Sequence, residues 1–246
     1  MVGSSPPHML PAVAADTVRI RWGLGDFAWL WPAVVVGQVI AGAVVFGVRG
    51  GGSHYRSDAV DIAVVTAFSA LVTVLALRAL ARAKGRGSLL TDFGLRIRTS
   101  DWPWLGAGVA LQLVAIGAVK LIATVAGSEP EQEVARAIEH SDTAAKVLGA
   151  IAVVTLAPLA EELLFRGLLL RGLLRRFGAV AAVLTSGGAF AVVHLLDPNA
   201  VTLLAPLALV GVVSGLRAVR TGELSQSLLL HAGFNLVSAV ALLSGL

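Results

Sequence analysis

The stretch from Ala145 to Leu170 reads AKVLGAIAVVTLAPLAEELLFRGLLL and decides the class of fold. As helix, its 26 residues extend about 39 Å at ~1.5 Å per residue. That exceeds the ~30 Å hydrocarbon core of a bilayer, so the stretch is long and apolar enough to cross it. Six further runs of similar character flank it: Phe27–Val48, Ala59–Leu80, Trp104–Ala126, Ala179–Leu196, Val201–Leu216 and Leu224–Leu246. The predicted fold is an all-α polytopic transmembrane bundle of about seven spans, or eight.

Composition agrees. Of 246 residues, 57% are apolar and 14% charged, and the mean hydropathy is +0.84. A soluble globular domain is excluded on these values, and so is disorder. The absence of cysteine from the sequence removes a disulfide framework, a thiolate zinc site and a cysteine nucleophile together. The net charge of +4 does not point to nucleic acid, because the basic residues lie between apolar runs rather than in an aromatic-interleaved patch.

Those basic residues set the topology instead. Outside the spans, alternate compartments hold 13 against 4 of the 19 Lys and Arg, which puts the N-terminus in the cytoplasm by the positive-inside rule. Residues 1–26 are then a cytoplasmic segment, and 27–246 form one membrane domain with an uncleaved first helix. Trp22, Trp29 and Trp31, and again Trp102 and Trp104, stand near span starts as interfacial rings. The acidic loop from Gly127 to Ala144 reads as a short surface amphipathic helix or a solvated loop. Asp61 lies near enough to a span end to be solvated.

An ionisable group inside a span costs about 2.5–3.5 kcal/mol, so each one needs a partner or a task. Glu162 and Arg166, four apart with the acid first, can neutralise each other. Glu161, rotated about 100° from Glu162, is left without that partner. A carboxylate in an apolar setting makes a competent general base, and Pro158 kinks the helix one turn earlier to make room for water or substrate. Phe190 with His194, and His231 with Asn235, form polar stripes on the fifth and seventh runs. Lys120 is isolated on the third run, where it snorkels or pairs with Glu161 or Glu162. A purely structural Glu-Glu-Arg cluster is the alternative to a site.

Glu161-Glu162-x-x-x-Arg166, Phe190-x-x-x-His194 and His231-x-x-x-Asn235 occur in this order on apolar runs within about 75 residues. Together they resemble the CPBP family of intramembrane proteases, also known as the CAAX-protease, bacteriocin-processing or Abi family. The likeness covers roughly Leu148 to Val240, and Asp92-Phe93-Gly94-Leu95-Arg96 is similar to the segment that precedes a helix in that family. The resemblance implies an intramembrane endopeptidase. In it Glu161 and His194 activate water, His231 and Asn235 stabilise the oxyanion, and Glu162, Arg166 and Phe190 support the site. No cofactor is favoured. A zinc-dependent version would use Glu161, His194 and His231 as ligands.

The implied partners are the lipid bilayer and a peptide or membrane-protein substrate, with no nucleic acid. Relatives act on prenylated C-terminal peptides in eukaryotes, or on bacteriocin-type and regulatory membrane peptides in bacteria. An Ala-, Val- and Arg-rich composition suits a high-GC bacterial genome and hence the plasma membrane. A rhomboid-like serine site is the weaker reading of Gly211-Val212-Val213-Ser214-Gly215, whose glycines serve better as a close-packing stripe. A non-catalytic immunity or scaffold protein, or a transporter using the same polar residues, stands as the rival from another class.

Overall fold

The computed structural model describes residues 20–52, 58–126, 141–197, 201 and 203–244. The expected surface helix in the acidic loop falls mainly on residues 127–140, outside the described part. Eight helices organise the rest. They are α1 (Leu24–Val48), α2 (Ala59–Lys84), the short α3 (Leu89–Phe93), α4 (Pro103–Ala126), a composite α5 (Thr143–Leu174), α6 (Ala179–Val193), α7 (Leu204–Thr221) and α8 (Ser225–Ser244). Within α1, α2, α5 and α7, and over Thr99–Leu121 and Ala179–Leu196, six helices are long and apolar enough to span a bilayer. The last expected run forms the 20-residue α8. Helix α1 begins at Leu24, inside what the sequence assigned to the N-terminal segment.

Packing is closest where side chains are smallest. A Cβ on Gly108 of α4 would lie 1.9 Å from the Leu230 carbonyl oxygen, and one on Gly233 of α8 would lie 2.0 Å from that of Leu105. The two backbones therefore touch, as small residues permit in membrane helices where apolar burial gives no drive between helices. Helices α6 and α7 meet the same way, with Gly187 against Gly211. The stripe around Ser214 is thus a packing surface, and Ser214 itself is fully buried.

Basic residues gather at one end of the bundle, as alternating loop charge requires. The Arg21 N–H donates to the Lys84 carbonyl at 2.7 Å, Leu224 N–H donates to Gly94 O at 2.8 Å, and Arg98 holds Glu223 at 2.5 and 2.7 Å. The hydrogen bond from Arg98, with its charge, holds the Glu223 carboxyl below the ordinary carboxylate range.

Two expectations are corrected here. Trp22 is not an interfacial ring but only 3% exposed; its indole N–H donates to Asp92 at 2.9 Å, and the Arg175 guanidinium lies 4.3 Å from the ring centre. The cause is Asp92, itself buried, whose carboxylate collects donors from Trp22 and the Arg86 backbone. Asp61 is likewise buried rather than solvated, because Arg49 returns from the end of α1 to within 3.0 Å of it. It also closes a capping box by accepting the Asp58 N–H at 3.1 Å.

Candidate active site

Helix α5 does not run as one regular α-helix. Ala152–Leu156 and Glu162–Leu170 have π-helical hydrogen bonding, separated by one α-helical turn, Ala157–Glu161. Wide turns of this kind recur at functional sites, since they leave carbonyls outside the regular ladder and redirect side chains. The sequence announced only a kink at Pro158.

The turn between the wide segments divides the two acids. Glu162 is fully buried, with Arg166 Nη1 3.1 Å from its Oε1, and Arg166 Nη2 donates to the Gly211 carbonyl at 2.9 Å. Its neighbour Glu161 has a side chain 30% exposed and lines a cavity of about 1150 Å³. The cavity is also lined by His194, His231 and Asn235, whereas Glu162 and Arg166 lie behind its wall.

His231 joins the acids. Its Nδ1 is 3.0 Å from Glu162 Oε1, and its Nε2 is 3.5 Å from Glu161 Oε2. An ionised carboxylate only accepts, so Nδ1 carries a proton toward Glu162 and Nε2 faces Glu161. Glu162 therefore serves two cationic or donor groups, where sequence spacing had given it Arg166 alone.

Phe190 sits at the hub. Its ring lies 4.5 Å under the Arg166 guanidinium carbon, 5.4 Å from the His231 ring and 4.9 Å from that of His194. The histidine one turn on, His194, bonds through Nδ1 to the Phe190 carbonyl at 2.7 Å. A carbonyl cannot donate, so Nδ1 is the donor in this bond and Nε2 is the ring nitrogen left for the cavity. Asn235 Nδ2 donates to the Val153 carbonyl at 2.9 Å, in the first wide segment.

The cavity is also lined by uncharged polar side chains. Gln38 donates to Ser69 at 2.9 Å and Gln112 to Ser238 at 3.1 Å. Both glutamines were visible as polar interruptions of apolar runs. Lys120 also lines the cavity. Among the described residues no group of three His, Cys, Asp or Glu side chains is arranged to hold a metal ion. Ser214 lines no part of the cavity.

Residues 143–237 match the family model for type II CAAX prenyl endopeptidases, Rce1-like. The matched stretch holds all three motifs from Glu161 to Asn235 and covers α5 to α7 and most of α8, which form one part of the cavity wall; α1, α2 and α4 supply the rest. The match is consistent with the resemblance of the three motifs to the CPBP and CAAX proteases. No curated protein and no solved structure matches the chain. The protein is an integral, multi-pass membrane protein with an Rce1-like region.

Proposed function

We propose that the protein is an intramembrane endopeptidase of glutamate type, acting on peptides that enter the bilayer, in the plasma membrane of its cell. The observation that carries this reading is the division of labour between adjacent acids: Glu161 opens on the cavity while Glu162 is sealed against Arg166 and His231.

In the proposed reaction a water lies between Glu161 and the Nε2 lone pair of His194. Glu161 accepts one proton as the water oxygen bonds to the scissile carbonyl carbon, whose π electrons move to its oxygen. His231, held by Glu162 through Nδ1, and the second amide hydrogen of Asn235 donate to that oxyanion; each such donor is worth about 3–4 kcal/mol in related chemistry. The carbonyl re-forms, the C–N bond breaks, and the leaving nitrogen takes the proton from Glu161.

The test is Glu161→Gln in purified protein, with quenched prenyl-peptide and membrane-peptide substrates, assayed with and without a strong chelator. Loss of cleavage with retained folding, and wild-type activity that survives chelation, are expected. Activity that falls on chelation and returns with added zinc would replace this mechanism by the metal-dependent one. A Glu161→Gln protein that retains full biological activity would favour a scaffold or immunity role.

A further inference from the structure

The carbonyl of Val153 stands where the wide hydrogen-bond pattern of its own helix runs into a proline. In the wide segment the Ala157 N–H donates to Ala152 O, five residues back. The same pattern assigns Val153 O to the N–H of residue 158, and residue 158 is proline, which has none. A carbonyl left without a donor inside a helix bundle is unfavourable. Asn235 Nδ2, from α8, supplies the missing hydrogen at 2.9 Å.

The consequence is a link between two helices at one amide. Val153, Ala157 and Glu161 from α5 and His231 and Asn235 from α8 all line the same cavity. Asn235 has two amide hydrogens, and binding one to a fixed backbone atom sets the plane of the group and the direction of the other.

We infer that Pro158 is a positioning residue: by withholding the backbone donor for Val153 O, it commits that carbonyl to Asn235 and so fixes the Asn235 amide, and α8 with it, beside Glu161. This deepens the endopeptidase reading and rests on it for its catalytic consequence, though the link itself is structural. Pro158 thereby acquires a role beyond a kink that makes room.

The experiment is a double-mutant cycle of Pro158→Ala and Asn235→Ala in detergent or nanodiscs, read by thermal unfolding and by peptide cleavage. Alanine at 158 brings a backbone N–H and is the best helix former, so folding is retained. Asn235→Ala is expected to lower Tm in the native background and by less than half as much beside Pro158→Ala. An equal drop in both backgrounds overturns the link. In cleavage, Pro158→Ala is expected to lose on the order of 10- to 100-fold in kcat through misplacement, with KM within about twofold. Replacement of residue 158 by the α-hydroxy acid analogue of alanine, whose ester also lacks an N–H, should restore most of that loss. Unchanged kcat in Pro158→Ala, or no recovery in the ester variant, overturns the positioning role. Absence of cleavage by the native protein would refute the endopeptidase reading while the thermal cycle still decides the link.

Discussion

The imidazole of His231 is held by the carboxylate of Glu162, Nδ1 to Oε1 at 3.0 Å, inside a cluster that also buries Arg166. Glu162 is thus a partner of two groups, and its loss leaves a buried guanidinium uncompensated. Glu162→Gln is expected to destabilise the protein by about 3–5 kcal/mol. Thermal unfolding checks this, and a neutral result would remove Glu162 from the framework of the site.

Removing both members of the buried pair should be milder than removing one. The double variant Glu162→Leu with Arg166→Leu is expected to unfold at a higher temperature than Arg166→Leu alone, because no charge is stranded. Its cleavage activity should still be lost, since His231 no longer has its carboxylate. Measuring stability and turnover on the same preparations separates the two effects.

Glu161 gives the opposite pattern. It opens on the cavity rather than into the packed interior, so Glu161→Gln should change stability by less than about 1 kcal/mol while lowering kcat by roughly 10²- to 10⁴-fold, the usual range for a general base. An equal loss of stability and activity would argue for a purely structural acid cluster.

The contact between α4 and α8 depends on missing side chains. A methyl at Gly233 meets the Leu105 carbonyl at 2.0 Å, and backbone cannot yield as a flexible side chain does. Gly233→Ala is expected to destabilise by about 1–3 kcal/mol, as overpacking does. The displacement of α8 should lower turnover as well, because His231 and Asn235 move with it.

At the basic end, stability should depend on acid. Arg98 holds Glu223 below its ordinary range, so the stabilising contribution is present above the unfolded-state value of about 4.3 and disappears as pH falls through the lower folded-state value. The Tm difference between native protein and Glu223→Gln should therefore shrink toward zero as the pH is lowered through and below the ordinary carboxylate range. A difference independent of pH would assign it to packing.

The chain is legible where the governing interaction is local. The apolar runs are legible because spanning length depends on composition alone, and the Glu162–Arg166 pair because four residues make one helical turn. The three motifs were legible as spacings, and the region they occupy is the one that matches the endopeptidase family. Asp61 and Trp22 were misplaced because their partners, Arg49 and Asp92, come from other elements. Isolated sequence position gives each only its polarity.

Sequence by itself determined a membrane-crossing helical chain and the identity and order of the polar residues inside it, since both follow from transfer free energy and helix periodicity. Only tertiary structure decided that His231 lies between Glu161 and Glu162, that Phe190 packs against His231, His194 and Arg166, and that Asn235 donates to the Val153 carbonyl. The reason is that the wide turns of α5 change the register on which facing directions are counted, and the donors that satisfy them arrive from a helix some 70 to 80 residues further along the chain.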